Sequence, residues 1–211
     1  MEFIKQPMEI ETRSMEIIAP YLEGMNLDEK AVKVYSRIIH AAGDVEYAPI
    51  IRIGAGAIDK AMGALRSGSD IYTDVEMVRT GINKRKLASF GGEVHCLIAD
   101  DEVVAMAKAE GITRSMAAMR KFGKKLEGSI VAIGNAPTAL FEVLRLVREE
   151  GIRPACIVGI PVGFVGAADS KRELAENGIV PYITVEGTKG GSPIAAAAIN
   201  AMMYLINNDR G

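Results

Sequence analysis

The amino-acid sequence predicts an α/β fold with three layers, in which a doubly wound, mostly parallel sheet carries helices on both faces. Two observations lead to this prediction. Short apolar runs alternate with amphipathic helical segments along most of the chain. In addition, the runs SIVAIG, ACIVGI and IVPYITV are apolar at nearly every position, which is typical of strands that are buried on both faces. Because right-handed crossovers join parallel strands, we expect the loops after these strands to meet at one edge of the sheet, where α/β proteins bind ligands.

The first part of the chain has a helical pattern. We expect one α/β domain over residues 1–211, with a helical N-terminal segment, residues 1–45, packed on it. The first helix of this segment is predicted over Met8–Glu23. The second is predicted to begin after the capping residue Asp28 and to end near Ala42, where a glycine follows.

The other elements are predicted from β-branched runs and from apolar residues at helical spacing between a cap and a glycine. The predicted strands are 48–54, 71–75, 93–99 and the three apolar runs named above. The predicted helices are 56–66, one that is capped by Asp100 or Asp101 and ends at Gly111, one that opens at Thr113, then 137–150, 170–177 and 193–206. The helix at 170–177 opens on Ser-Lys-Arg-Glu, which has the form of a capping box.

The composition argues against several classes of function. The net charge is −2 without a long basic block, and aromatic residues make up 5% of the chain, so we expect no nucleic-acid partner. The sequence shows no signal-peptide pattern, and the apolar stretches are broken well before the ~20 residues of a membrane span, so we expect no membrane partner. Cys96 and Cys156 lie in apolar runs and are expected to be reduced thiols of a cytoplasmic protein. No cysteine or histidine spacing indicates a metal site.

The segment IRIGAGAID, residues 51–59, raises the possibility of dinucleotide binding. It follows a predicted strand and opens a helix, and Asp74 stands near the end of the next strand, where a ribose contact is expected. However, Asp59 occupies the third fingerprint position, where glycine or alanine allows close packing and where a negative charge disfavours a pyrophosphate. A tight turn before a helix is therefore the favoured interpretation, with an NAD-dependent oxidoreductase as the alternative.

Two helix starts have the character of anion sites. In GTKGGSP, the backbone N–H groups of Gly190, Gly191 and Ser192 precede a predicted helix, with Lys189 beside them. In TRS, Arg114 stands in the first turn of a helix between two hydroxyl residues. Each pattern alone is typical of an ordinary helix cap.

Further basic residues extend this pattern. Lys33, Arg37 and His40 fall at i, i+4 and i+7, which places them on one face of a helix, and Arg13-Ser14 adds another cation with a hydroxyl. Together with the two helix starts, they indicate a pocket for a ligand that bears several carboxylates. Hydrogen bonds to charged groups contribute roughly 1.5–3 kcal/mol each, so several would hold such a ligand firmly.

Two loops at predicted strand ends have unusual sequences. IGNAPTALFE carries a short loop that we expect Asn135 to cap. IPVGFVGA is nearly all apolar, and exposure of Val162, Phe164 and Val165 would be costly. We expect this second loop to lie under another subunit or against the apolar face of a ligand.

The two histidines, His40 and His95, differ in their surroundings. His95 lies within a predicted strand, where a structural role is the usual one. His40 ends an apolar helical run and is followed by small residues, Ala41, Ala42 and Gly43. The chain has no Ser/His/Asp arrangement and no H-E-x-x-H motif, so neither a triad hydrolase nor a zinc enzyme is indicated.

Seven blocks of the chain together resemble the precorrin-8X methylmutase family, which includes a cobalt-precorrin-8 form. The resemblance covers nearly the whole sequence, and its longest and most specific blocks contain GNAPTALF and PVGFVGA. The blocks are ETRS (11–14), RIIHAAGD (37–44), TDVEMVRTGI (73–82), TRSMAA (113–118), AIGNAPTALFEVL (132–144), VGIPVGFVGAADSK (158–171) and GGSPIAAAAIN (190–200).

The resemblance implies an isomerase of cobalamin (corrin) biosynthesis that moves a methyl group from ring carbon 11 to ring carbon 12 of precorrin-8X or cobalt-precorrin-8. The product is hydrogenobyrinate or cobyrinate, and no separate organic cofactor or metal site is implied. The substrate is a broad, flat macrocycle edged with carboxylates, which fits the pocket inferred from the residues. The resemblance also implies a homodimer, which would cover the apolar loop at 162–165.

The family's histidine matches His40, whose implied role is to donate a proton or a strong hydrogen bond to a ring nitrogen. Many relatives carry arginine just before the lysine of the Lys-Gly-Gly-Ser loop, where this chain has Thr188, so no carboxylate contact is assigned there. A carrier that binds a corrinoid without catalysis is a further alternative. The residues implied to contact substrate are Arg13, Ser14, Met77, Arg114, Ser115, Lys189, Gly190, Gly191 and Ser192.

Overall fold

A six-stranded sheet organises the computed structural model, which describes residues 4–208. The strand order is β1-β6-β5-β4-β2-β3, and all neighbouring pairs are parallel except β1 with β6. The strands are β1 Ile51–Ile53, β2 Ile71–Thr73, β3 Val94–Cys96, β4 Ile130–Ile133, β5 Cys156–Gly159 and β6 Tyr182–Val185. The chain passes from β2 to β3 on one side, and the next strand, β4, pairs on the other side of β2, so the β2–β4 boundary is a topological switch point.

Helices cover both faces of this sheet. The α-helices are α1 Pro7–Ile18, α2 Glu29–Ala42, α3 Ala57–Arg66, α4 Glu76–Gly81, α5 Lys84–Ala88, α6 Asp101–Glu110, α7 Arg114–Phe122, α8 Pro137–Glu149, α9 Ala167–Asn177 and α10 Ser192–Asn208. One apolar core joins the sheet to α3 and α10, with α2 packed along α10, and a second core joins the opposite face to α7, α8 and α9. The predicted class, a mostly parallel sheet between helical layers, is confirmed.

Strand β4 shows why the central strands have apolar residues at successive positions. Ile130 and Ala132 belong to one core, whereas Val131 and Ile133 belong to the other, and all four side chains are fully buried. A strand with water on one face would alternate apolar and polar residues instead. The continuous apolar run therefore reports a layer of helices on each side.

The N-terminal helices agree in part with their prediction. Helix α2 begins after Asp28, whose carboxylate accepts the N–H of Ala31 at 2.7 Å, and it ends at Gly43, which has a φ of 62°. The predicted first helix is too long, because α1 ends at Ile18 and a 3₁₀ turn, Ala19–Tyr21, follows it.

The capping box predicted for the helix at 170–177 is wrong. Helix α9 begins at Ala167, after Gly166 in a left-handed conformation with a φ of 77°. Ser170 therefore lies inside the first turn, where its hydroxyl donates to the carbonyl of Ala167 at 3.1 Å. Lys171, the second residue of the supposed box, is only 1% exposed.

Both cysteines carry free thiols, and Cys156 lies in the core, where burial raises its pKa to about 12. Cys96 is half-buried on β3. Within residues 4–208, none of the helices combines the length and hydropathy that would allow it to cross a membrane.

Gly134, directly after β4, lies in a position too tight for a side chain. A Cβ atom there would lie 2.6 Å from Cγ2 of Val78 and 2.7 Å from the Cα of Ser192. We predict that Gly134→Ala lowers the free energy of unfolding by about 1–3 kcal/mol, because the backbone of α10 would have to shift. Urea denaturation measures this change.

Gly63 provides the matched control, because it lies in α3 and a Cβ atom added there would enter open space. Gly63→Ala should raise the free energy of unfolding by about 0.5–1 kcal/mol through helix propensity. Equal stability of the two alanine variants would contradict the close contact between β4 and α10.

Candidate functional site

The carboxyl ends of β2 and β4 are joined by the side chain of Asp74. Its carboxylate accepts the backbone N–H groups of Gly134 at 3.0 Å, Asn135 at 2.9 Å and Ala136 at 2.7 Å. Asp74 is fully buried. The prediction that Asn135 caps this loop is wrong, because helix α8 has no side-chain cap of its own and a carboxylate from the neighbouring strand accepts the free N–H groups instead.

Two effects act on the charge of Asp74 in opposite directions. Burial raises the pKa of the carboxyl above its usual range, and the three N–H donors oppose that rise because they stabilise the charged form. The N-terminus of α8 adds a favourable dipole at the same place.

The dinucleotide interpretation fails on this geometry. Asp74 occupies the switch-point crevice and is buried, so it cannot reach a ribose. Strand β1 is antiparallel to β6, so the turn after it, with Gly56 at a φ of 69°, lies at the opposite edge of the sheet from the other strand-to-helix loops. Asp59 is exposed and pairs with Lys30 at 2.7 Å. The favoured interpretation, a tight turn before a helix, is confirmed.

Lys189 connects the loop before α10 to the segment after α2. Its ammonium lies 2.6 Å from a carboxylate oxygen of Asp44 and 2.8 Å from one of Glu46, and 5.5 Å from the ring centre of Tyr47. These two carboxylates raise the pKa of Lys189, and the ammonium lowers the pKa of Asp44. Because Asp44 follows His40 by four residues, this contact places the loop beside the end of the helix that carries His40.

The backbone of the same loop is held from inside the protein. The carbonyl of Lys189 accepts from the ammonium of Lys171 at 2.5 Å. The N–H of Gly191 donates to the carbonyl of Ile160 at 2.9 Å. The N–H of Gly191 is therefore already engaged within the protein, and the anion site that the sequence predicts at this loop stays a prediction.

Gly190 is required by this close approach. A Cβ atom at this position would lie 2.6 Å from the carbonyl oxygen of Ile160 and 2.7 Å from that of Pro161. Ser192, which is 4% exposed, is the first residue of α10. The loop is thus packed directly onto the end of β5.

Helix α7 begins where the sequence predicts, since the hydroxyl of Thr113 accepts the N–H of Met116 at 3.2 Å. Arg114 is exposed in its first turn, whereas Ser115 is buried and donates to the carbonyl of Asp74 at 3.4 Å. Met77 is 69% exposed on α4, three residues after Asp74 in the chain. The elements that carry these residues therefore meet around Asp74, at the edge of the sheet where Ser192 packs on Gly134.

Arg13 and Ser14 lie apart from this cluster, on helix α1. Arg13 is exposed and pairs with Glu16 at 2.9 Å, and the hydroxyl of Ser14 donates to the carbonyl of Ile10 at 2.8 Å. Within residues 4–208, no hydrogen bond or ion pair joins these two side chains to the loop before α10.

A cavity of about 510 Å³ lies between α1, α2 and α10. Lys33 and Arg37 line it from α2, and Met15 lines it from α1. The positive charge on this face of α2 is partly neutralised there, because Arg37 pairs with Glu11. His40 is exposed and follows Arg37 on the same helical face, and within the described part of the chain its imidazole has no hydrogen-bond partner.

His95 has the structural role that its strand position predicts. Its Nε2 lies 2.9 Å from a carboxylate oxygen of Asp70, and its ring stacks on Tyr72 with 5.0 Å between the ring centres.

The apolar loop between β5 and α9 is exposed in the single chain. Val162 is 43% exposed, Phe164 95% and Val165 89%. The N–H of Gly163 donates to the carbonyl of Thr188 at 3.1 Å, which ties this loop to the one that carries Lys189.

Asp44, Glu46 and Lys171 were not among the predicted site residues. Asp44 lies within a block of the family resemblance, but nothing in the sequence indicates that it meets a lysine 145 residues away. Lys171 has the sequence context of an exposed helix start, so the pattern gives no signal of its burial.

Comparisons with known proteins agree on one family. The family model described as precorrin-8X methylmutase matches residues 9–205. Cobalt-precorrin-8 methylmutase of Priestia megaterium is 41% identical over 203 residues, which are 96% of this chain and 90% of that protein. Precorrin-8X methylmutase of a Sinorhizobium species is 41% identical over 202 residues, or 95% of this chain and 96% of that protein. The crystal structure of precorrin-8x methyl mutase from Thermus thermophilus matches with a TM-score of 0.85 at 37% identity and covers 95% of this chain and 98% of that one.

The three N–H bonds to Asp74 lead to a prediction for Asp74→Asn. An asparagine offers one oxygen in place of two, so its amide group would face a backbone N–H and leave it without an acceptor. We expect a loss of about 1–3 kcal/mol in the free energy of unfolding at neutral pH, measured by urea denaturation. The control is Asp59→Asn, an exposed carboxylate whose loss should cost less than about 0.5 kcal/mol. If Asp74→Asn is as stable as the original chain, the carboxylate does not hold this loop.

Proposed function

The chain belongs to the precorrin-8X methylmutase family, and from this premise we propose how its residues act in the reaction. The protein is an isomerase of cobalamin biosynthesis. We propose that it moves a methyl group from ring carbon 11 to ring carbon 12 of precorrin-8X or cobalt-precorrin-8, giving hydrogenobyrinate or cobyrinate. The migration is intramolecular, so atoms and electrons balance within the substrate.

His40 is proposed as the general acid. The observation that supports this role is the exposed imidazole at the end of α2, three residues after Arg37, which lines the cavity between α1, α2 and α10. A proton or strong hydrogen bond given to a ring nitrogen would draw electron density from the macrocycle and ease the release and recapture of the methyl group. Histidine suits this task because its unperturbed titration lies near neutral pH.

The substrate contacts are proposed to come from two sides. Arg114 is exposed at the start of α7, where it can meet an acidic side chain of the macrocycle, and the exposed Met77 offers an apolar surface to the ring face. Ser14 lies one turn of α1 after Glu11, which lines the cavity beside α2. The proposed contact residues are Arg13, Ser14, Met77, Arg114, Ser115, Lys189, Gly190, Gly191 and Ser192.

We propose that residues 1–211 act as one domain and that the enzyme works in the cytoplasm. Two free thiols, one of them in the core, suit a reducing compartment.

His40→Ala separates catalysis from binding. We predict that it lowers turnover by about 10²–10⁴-fold, the usual contribution of a positioned general acid, while the affinity for the product corrinoid stays within a few-fold. Turnover is followed by the change in the visible spectrum, and affinity by a titration with hydrogenobyrinic acid.

The control for this experiment is His95→Gln, which alters the other histidine on the far edge strand and should keep full turnover. Unchanged turnover in His40→Ala would remove the imidazole from the mechanism. If the protein binds the corrinoid but none of the variants, nor the original chain, converts substrate, the non-catalytic carrier is the better description.

We propose further that two copies pair through the apolar loop between β5 and α9. A phenyl ring that is 95% exposed beside a valine that is 89% exposed gains free energy when another surface covers it. We predict that Phe164→Ser converts the dimer into a monomer in sedimentation velocity experiments. Tyr21→Ser, at an exposed aromatic on the 3₁₀ turn after α1, is the control and should leave the dimer intact. A Phe164→Ser protein that stays dimeric would contradict this interface.

A further inference from the structure

Lys171 is a buried cation without an acidic partner. It lies in the first half of α9 with 1% of its surface exposed, and within residues 4–208 no carboxylate forms an ion pair with it. Burial lowers the pKa of Lys171 to about 8. An unpaired charge in the interior costs free energy, so Lys171 is not expected to stabilise the fold. Its burial therefore calls for a functional explanation.

The contact that Lys171 makes points to that explanation. Its ammonium donates to the carbonyl of Lys189 at 2.5 Å. The side chain of Lys189 extends from the same residue to Asp44 and Glu46. Lys171 therefore holds the backbone of Lys189 from the α9 side, while the two carboxylates hold its ammonium from the segment that follows His40.

The carbonyl of Lys189 is the backbone group of this loop whose position depends on Lys171, because the neighbouring residue Gly191 is held by another contact. Gly191 is fixed through its N–H group by the carbonyl of Ile160. If an apolar side chain replaced Lys171, the carbonyl of Lys189 would lose its hydrogen-bond partner. The peptide between Lys189 and Gly190 could then rotate away from its present position. Such a rotation would move the ammonium of Lys189 relative to His40.

We propose that Lys171 is a positioning residue for the methylmutase reaction: its buried ammonium fixes the carbonyl of Lys189 and thereby sets the Lys189–Ser192 loop against the Asp44–Glu46 segment beside His40. This inference rests on the proposed function, in which that loop contacts the substrate. Lys171 itself touches no substrate and acts through Lys189.

The test is a double-mutant cycle with Lys171→Met, Lys189→Met and the double variant, and Arg172→Met as the control. Arg172 is the next residue of α9, exposed and paired with Asp169, so its loss should change neither binding nor turnover. The dissociation constant of hydrogenobyrinic acid is measured by visible absorbance, with KM, kcat and Tm for each variant.

We expect Lys171→Met to weaken product binding and raise KM by about tenfold or more, with a smaller change in kcat and a Tm that is unchanged or higher, because the variant removes a buried charge. In the Lys189→Met background the same substitution should add little, because Lys171 is proposed to act by positioning the ammonium of Lys189, which that background lacks. A purely structural lysine would instead lower the Tm and leave the affinity of the folded protein unchanged, which would overturn the inference.

The remaining outcomes are also decisive. Full and independent effects of the two substitutions in the double variant would show that Lys171 does not act through Lys189. If Lys189→Met alone leaves affinity and turnover unchanged, the loop is not part of the substrate site and the proposed contacts fail together with this inference. If Lys171→Met does not fold, Lys171→Gln, which is neutral and too short to reach the same carbonyl, replaces it in the cycle.

Discussion

The carboxylate of Asp74 is the interaction on which the arrangement of this site depends. It lies at the boundary between β2 and β4, and it accepts three N–H groups from the loop after β4. Hydrogen bonds to a charged group contribute roughly 1.5–3 kcal/mol each, so the three together offset part of the cost of burying this charge, and burial still raises the pKa of Asp74. The loop is held to the neighbouring strand without any cap from its own sequence.

The position of Asp74 restricts where a ligand can bind. In open α/β sheets the crevice at the switch point commonly receives the ligand, but here a protein side chain fills it. Exposed side chains remain on elements near the crevice: Met77 on α4, Arg114 at the start of α7 and His40 at the end of α2. We propose that these residues contact a broad, flat ligand.

Charge pairing joins the loop before α10 to the segment after α2. Lys189 spans from the loop before α10 to Asp44 and Glu46, which follow the helix that carries His40. Because Lys189 is only partly buried, its ion pairs are partly screened by water and contribute modestly to stability. Their value lies in fixing geometry, as does the buried contact between Lys171 and Lys189.

The sequence alone predicts those features that local chemistry determines. The buried strands β4 and β5 follow from continuous apolar runs, and the ends of α2 follow from Asp28 and Gly43. The antiparallel pairing of β1 could not be predicted, because the partner of a three-residue strand is chosen by tertiary contacts. The burial of Lys171 could not be predicted either, since lysine is almost never fully buried.

In the candidate site, too, some features could be predicted from the sequence and others could not. The proposed role of His40 rests on the family resemblance, because an exposed histidine at a helix end carries no chemical signal by itself. The contacts of Asp74 and Lys189 needed the fold, since each joins segments that are far apart in the chain.

The most direct test is a crystal structure of the protein with bound hydrogenobyrinic acid. We expect a ring nitrogen within roughly 2.7–3.2 Å of the imidazole of His40, with acidic side chains of the corrin at Arg114 and Lys189. A corrin ring bound far from His40, or one that displaces Asp74 from the boundary between β2 and β4, would contradict this view of the site.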